Sequence, residues 1–534
     1  MNYMNDAPRR KLREIVRQHG RNIIENPRRL ENLLRDYCGE FRREISVLTM
    51  ALEEHAIADM LAAPASALPR KVMLTRLAQR LCDNLALSES AASWSIESWA
   101  WAFGLITDAE LTASQAEIAR TQSEIEPAKN ASSTQIVAQT IQANQDSLSN
   151  QTALTRQMTS TQTANVTALN SVFVISANGG GNYTSIGEAL RNVPANSRLL
   201  VREGLYRESV VLEKTIEIVG DGAYENIIVR SQNQSCISMQ TERAAVRGLT
   251  LQGRGKSHGK SFFAVDIPHG ALVLENCDIS SDSLSCVAIR GANANSLIKN
   301  CLIHDGADSG IYIFDNARAR IENCDIYRNA NANIAITQGA NPAIKSCRIF
   351  EGENGGIVVW GNGATGTIED CEITNHRLAN VGVSQSANPI FLRCKISGGR
   401  DSGVFVQQKG YGAFEECDVY GNQKAEIAIT DGSNTTLRRC TIHDGRESGV
   451  FVGNLARTLI ESCNIYDNTD AGVSVYGESV AAVRRCNIHR NGKVAVRVKE
   501  NSRASVEDCD LRGNRIATWE TEHGVVVERK NNRE

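Results

Sequence analysis

The chain has 534 residues, 42% of them hydrophobic and 5% aromatic, with a formal net charge of -3. That length suits two or three domains at ~150 residues each, and the apolar content is enough for real cores. The balanced charge offers no global field to nucleic acid or an anionic membrane, so neither is expected as a partner. The opening MNYMNDAPRRKLREIV lacks an apolar signal core, and no run of ~18 apolar residues follows, so the expected location is the cytoplasm.

Residues 1–106 are predicted to form a small all-α domain. Ile15, Ile23, Leu30 and Leu33, then Ile45, Leu48 and Leu52, then Leu74, Leu77 and Leu81 recur at helical spacing. Pro27 and Pro69 suit helix starts. Arg9, Arg10, Lys11, Arg13 and Arg17 read as a solvated helix face diluted by acids. Trp94, Trp99 and Trp101 read as core, with a docking surface as the alternative. The stretches NPRRLENLLRDYCGEFRREI at 26–45 and SWSIESWAWAFG at 93–104 resemble a small helical module attached to varied bacterial signalling, kinase and chaperone-like proteins. That resemblance implies no particular activity.

Residues 107–170 are rich in Gln, Thr, Ser, Ala and Asn. Leu111, Ile118 and Ile125 are seven apart, as are Ile141 and Leu148. Two readings stay open: a thin coiled coil through which the chain would form a homo-oligomer, and a spacer.

From Cys277 to Cys509 a cysteine returns every 23 or 24 residues, at positions that include Cys301, Cys324, Cys371 and Cys440. A fixed period of this size marks a solenoid. Each unit reads I-x-x-C-x-I, a polar Gly-containing segment, then G-[IV]-x-[IV]. Alternation of period two inside these runs predicts short strands with one buried face. Residues 171–534 are therefore expected to form a right-handed single-stranded parallel β-helix of about 23 residues per turn. Eleven cysteine-marked turns at ~4.8 Å each give a rod segment on the order of 50 Å. The cysteines read as an inward column of small buried thiols, since the count of 15 is odd and no C-x-x-C spacing suggests metal or redox chemistry. No metal and no cofactor are expected.

The start of this region, with GNYTSIGEAL, GLYRES and GDG between 181 and 222, resembles the opening of pectin-esterase-type β-helices. The resemblance implies a plugging helix at 184–192; because an open solenoid end exposes apolar core, residues 511–534, with Trp519 and Val525 to Val527, are expected to close the far end before a polar tail. The resemblance does not extend to chemistry: no counterpart of the esterase aspartates, and no N-T-D, D-D, G-H-G or R-I-K series of a polygalacturonase, is found. Catalytic residues are therefore assigned to none, and an enzyme is not the favoured reading. Asp278, Asp325 and Asp418 follow their cysteines but alternate with Leu302, Arg348 and Lys395, which reads as a mixed-charge solvated face.

Outward positions of the last strand in each turn alternate in size. Tyr312, Val358, Phe405 and Phe451 are separated by Ala335, Gly382, Ala428 and Ser474, while Phe314, Trp360 and Tyr476 occupy the next outward position. An exposed apolar stripe of this kind marks a binding face, so these seven large residues are the candidate binding site. A second column, from His304, Tyr327 and Phe350 to Tyr420, His443, Tyr466 and His489, reads as turn stacking. The repeats at 339–352 and 432–452 resemble the coil of F-box-type substrate adaptors and of the carbohydrate-binding/sugar-hydrolase-type repeats, with Cys in place of the usual Asn. The leading expectation is a non-catalytic adaptor whose coil recruits a protein partner while the helical module docks a second. The alternatives are a carbohydrate-binding or sugar-cleaving protein and an oligomeric fibre.

Overall fold

The computed structural model describes residues 5–53 apart from 26 and 40, isolated positions between 57 and 81, residues 89–108 and 111, and residues 171–534 apart from 256–260. The heptads of 112–170, and with them the choice between coiled coil and spacer, lie outside the described residues. Two compact units separate along the chain.

The N-terminal unit contains α1 (Asp6–His19), α2 (Pro27–Cys38), α3 (Arg42–Glu53) and α4 (Glu89–Ala102). Leu12, Leu30, Leu34, Leu48 and Trp99 close its core. Trp99 Nε1 donates to Leu48 O at 3.1 Å, satisfying its one donor inside that core. Trp94 is buried as well, whereas Trp101 is half-exposed and donates to Asp108. Arg9 departs from the solvated-face expectation. It is 2% exposed, donates to Ser98 Oγ at 3.0 Å and lies 5.0 Å from the Trp94 ring, because its face of α1 packs on α4. Among the described residues no helix is long and apolar enough to cross a membrane.

The second unit is a parallel right-handed β-solenoid of about 15 turns, each close to 23 residues. Each complete turn contributes one strand to each of three parallel sheets, A, B and C, and with the partial turns at the ends these have 16, 13 and 14 strands. In one turn these are Arg318–Glu322 in A, Asp325–Tyr327 in B and Ile334–Thr337 in C. Sheet A alone spans about 70 Å at ~4.8 Å per step, longer than the eleven cysteine-marked turns, because residues 171–276 coil in the same way.

The corner between sheets A and B is set by one residue. The position before each cysteine of the 23-residue series, including Asn276, Asp370, Arg393, Glu416 and Arg439, has a φ between 50° and 57°. A left-handed residue turns the chain sharply at a cost of roughly 1–2 kcal/mol for a side chain with Cβ. Stacking repays it: the N–H of each such residue donates to a carbonyl of the next turn, as in Arg393 N to Glu415 O at 2.9 Å. The cysteine that follows points inward. Its thiol contacts the carbonyl two residues earlier, at 3.2 Å for Cys301 and 3.5 Å for Cys417. The 14 described cysteines are all buried and unbridged. Inward Ile and Val of the three sheets fill the rest, joined by a stacked pair, Phe391 and Phe414, with ring centroids 4.9 Å apart.

The ends are covered. α5 (Ile186–Asn192), capped by Ser185 Oγ accepting from Glu188 N, buries Ile186, Ala189 and Leu190 against the first turns. At the other end Ala517–Thr521 extends sheet C and Val526–Lys530 extends sheet A, with Trp519, Val525 and Val527 against the core.

Two outcomes follow from this packing. The described cysteines will resist a thiol-reactive dye in the native protein and react only after denaturation; rapid native labelling of several would contradict the buried column. Ile373→Ala, which empties a fully buried site, will lower unfolding stability by about 2–5 kcal/mol, read from the denaturant midpoint.

Candidate functional site

Period-two alternation puts every second side chain of sheet C outside. Strand register aligns these positions into one column: Asp266, Ala288, Tyr312, Ala335, Val358, Gly382, Phe405, Ala428, Phe451, Ser474, Arg497 and Glu520. A parallel column runs beside it through Arg290 and Phe314, then over the next two turns through Thr337 and Trp360. All seven predicted residues therefore lie on one face. Each is half-buried rather than fully exposed, because the large side chains lean over the small ones of neighbouring turns. Val358 shows this at Gly382, where a methyl group would touch both Val358 γ-carbons at 3.7 Å.

The rings gather into two clusters. Tyr312 stacks on Phe314 at 4.4 Å between centroids and 22° between planes, and lies 6.3 Å and 9° from Trp360. Phe451 and Tyr476 form the second cluster, 5.7 Å apart at 26°. Val358 and Phe405 lie between them along the column.

Each cluster borders an arginine–carboxylate group that the sequence reading missed. Beside Tyr312, Arg290 holds Asp266 with two bonds of 3.2 and 2.9 Å. Beyond Phe451, Arg497 is 7% exposed at its side chain and binds Asp470 at 2.5 and 3.0 Å and Glu520 at 2.6 Å; Lys499 also reaches Glu520 at 2.7 Å. Desolvation works to raise the Asp470 carboxyl, but hydrogen bonds from Arg497 and Lys493 prevail and hold it at about 2. Arg497 is pushed up in turn, first by its bond to Asp470. The signal was available: continuing the column one and two turns past Ser474 arrives at Arg497 and Glu520.

On sheet B the second column forms two parallel stacks. His304, Tyr327 and Phe350 are each 4.9 Å apart, and Tyr420, His443, Tyr466 and His489 lie 4.8–5.3 Å apart. His304 bridges Asp278 and Asp305 at 3.0 and 2.7 Å, and His443 repeats this with Asp418 and Asp444 at 3.1 and 2.7 Å. Desolvation lowers the His304 pKa, yet bonds to Asp278 and Asp305 leave it raised overall. Asp325 pairs with Arg348 from the next turn. The carboxylates that follow the cysteines are thus engaged by neighbours across turns. Among the described residues no group of three or more His, Cys, Asp or Glu is arranged to hold a metal ion.

The family profile described as the right handed beta helix region matches residues 225–392 and 379–532, more than half of the chain. No curated protein matches the sequence. Among solved structures the chain is similar to the A-module of the mannuronan C-5 epimerase AlgE6 from Azotobacter vinelandii, at 14% identity, 65% of this chain, 92% of that chain and a TM-score of 0.41. It is similar to pectin methylesterase from carrot at 18% identity, 44% of this chain, 85% of that one and a TM-score of 0.34. A third is the periplasmic alginate epimerase AlgG, at 12% identity, 66% and 83% coverage and a TM-score of 0.35. Likeness at this level shows the fold alone. The expected protein-recruiting adaptor is corrected by the same comparison, since the proteins found to share the coil bear the names of carbohydrate-acting enzymes. The stripe on which that expectation stood is half-buried, and its rings gather into two clusters, each near a charged group. By its profile and its three-sheeted coil, the chain belongs to the right-handed parallel β-helix family.

Proposed function

We propose that this protein binds carbohydrate on the outer face of sheet C. The observation that carries the reading is the cluster of Tyr312, Phe314 and Trp360, whose rings lie within 9–22° of a common orientation beside a paired arginine and aspartate. A sugar ring has a flat C–H face and a rim of hydroxyl groups. The negative face of an aromatic ring attracts the first. Donors on Arg290 and acceptors on Asp266 suit the second, the usual mixture of apolar lining and a few placed polar groups.

The second cluster supports an extended ligand. Phe451 lies six turns from Tyr312 along the column, or about 29 Å at ~4.8 Å per turn, and Arg497 and Glu520 follow it two and three turns on. An oligosaccharide lying along the coil can meet both ends, whereas a single sugar meets one. The carboxylates of this face, Asp266, Asp470 and Glu520, are committed to ion pairs with arginines. Binding is therefore the function read from the geometry.

The test is a glycan array followed by titration of the oligosaccharide retained. Trp360→Ala will weaken that binding at least about tenfold, equivalent to ~1.4 kcal/mol, while the melting temperature stays close to that of the parent protein. An unchanged affinity in the variant, or an array on which the parent retains no glycan, would sink the reading.

A further inference from the structure

Inside the coil, at the turn between sheets B and C, runs a chain of buried polar side chains that the binding face does not use. Asn329, Asn333, His376, Asn380, Asn422 and Glu426 are all 0% exposed, and Asn468 and Asn491 continue the line. The links are short. Asn329 Nδ2 donates to Asn333 Oδ1 at 2.8 Å, Asn333 Nδ2 to His376 Nε2 at 2.9 Å, and His376 Nδ1 to Asn380 Oδ1 at 2.7 Å. Asn380 Nδ2 then donates to Asn422 Oδ1 at 2.9 Å, and Asn422 Nδ2 to Glu426 Oε2. Farther on, Asn468 Nδ2 donates to Asn491 Oδ1 at 3.0 Å, and Asn491 Nδ2 to Asn514 Oδ1 at 2.9 Å.

Backbone groups fix the direction of every amide. Asn329, Asn422 and Asn468 each turn Nδ2 toward a main-chain carbonyl, those of Tyr327, Tyr420 and Tyr466, and Oδ1 toward the N–H of Gly306, Gly399 and Gly445. Asn333 and Asn380 turn Nδ2 toward Phe350 O and Ser397 O. Donation therefore runs one way along the coil. His376 fits only as the neutral Nδ1–H tautomer, with Nε2 accepting, and burial lowers its pKa to about 4.

One joint does not follow the rule. A methyl group placed on Gly399 would sit 2.9 Å from Asn380 Nδ2 and 3.0 Å from Asn422 Oδ1, the donor and acceptor of a bond. Two turns on, a methyl group on Gly445 would sit 2.8 Å from Glu426 Oε1 and 2.8 Å from Asn468 Oδ1. There two oxygens crowd one point, and Glu426 Oε1 also accepts from Asn422 N–H at 2.9 Å, where the joint at Gly399 pairs a donor with an acceptor. Two buried acceptors opposed without a hydrogen are costly, and a carboxylic acid removes the conflict by becoming a donor.

We propose that Glu426 is carried as a neutral acid whose Oε1–H donates to Asn468 Oδ1, joining the two halves of the buried chain, and that its ionisation at higher pH opens this joint. Desolvation is the main influence and raises the Glu426 carboxyl to about 7, against hydrogen bonds from the Asn422 side chain and backbone. The charged groups that act on it are His443, which lowers it, and Asp444, which raises it; these two are bonded to each other at 2.7 Å. The direction of the pH effect follows. An unfolded glutamate releases its proton near ~4.3 while the folded one keeps it, so the joint's contribution is complete below that pH. It declines as pH rises toward about 7 and is gone above.

The experiment is denaturant unfolding of the full chain and of Glu426→Gln from about pH 4 to about pH 8. Glutamine places an N–H donor at the joint at every pH, as Asn333 and Asn380 do at theirs. The ratio of the parent's unfolding constant to the variant's is expected to rise by up to about tenfold per pH unit across the window and then level off. A ratio independent of pH overturns the proposal. Should the variant fail to fold, infrared spectra of the parent at about pH 6 decide instead, since carboxyl groups of ordinary pKa are ionised there. A buried carboxylic-acid C=O band supports the neutral acid, and its absence overturns it.

Discussion

The left-handed corner before each cysteine of the 23-residue series is the constraint on which the rest of the coil depends. It is unfavourable for any residue with a Cβ, and arginine, glutamate and serine occupy it here as readily as asparagine. It persists because each corner stacks on an identical one, and the N–H it would otherwise strand finds a carbonyl of the next turn. A corner of this kind cannot stand alone. The thiol that follows contributes a weak donor to the carbonyl two residues earlier, in a space that admits little more than a small hydrophobe. Cysteine meets both demands without the desolvation cost of an amide.

A fixed corner keeps the strands in register, and register determines what the outside of the protein can do. One residue of slip would move every outer ring of sheet C into the core. Because the corners hold, Tyr312, Phe314 and Trp360 arise from two turns separated by a third and still share an orientation. A platform of this sort needs no loop or lid. Its rigidity is that of the sheet beneath, which limits the entropy lost when a ligand is bound.

The sequence made the coil legible through two independent periods. The recurrence of cysteine marked the turns, and the I-x-x-C-x-I alternation marked the buried face. The outer stripe was legible for the same reason, since alternation alone assigns inside and outside. What escaped was anything that depends on a partner in another turn. Arg290 with Asp266, and Arg497 with Asp470 and Glu520, are separated by 23 to 27 residues and follow no motif. Arg9 escaped for a related reason: its burial depends on a helix that begins 80 residues later. The adaptor reading failed for a different reason. Apolar spacing marks an outer stripe but does not say what kind of molecule lies on it.

The size alternation on sheet C has its cause inside the coil. Turns with a large outer residue carry glycine two positions earlier, at Gly310, Gly356, Gly403 and Gly449, while the intervening turns carry Asn333, Asn380 and Glu426 there. A Cβ on those glycines would come within 2.6–2.8 Å of a side-chain atom of Asn329, His376, Asn422 or Asn468 in the following turn. The buried polar chain therefore requires glycine in alternate turns and polar side chains in the others. The outer face shows the same two-turn rhythm, with Tyr312, Val358, Phe405 and Phe451 over the glycine turns and Ala335, Gly382 and Ala428 over the polar ones. After Gly449 the rhythm ends on both sides at once. Inside, Asn468, Asn491 and Asn514 occupy consecutive turns; outside, the column passes to Ser474, Arg497 and Glu520. The polar chain and the candidate binding face are thus two expressions of one repeat, and Glu426 and Asn468 meet where that repeat changes.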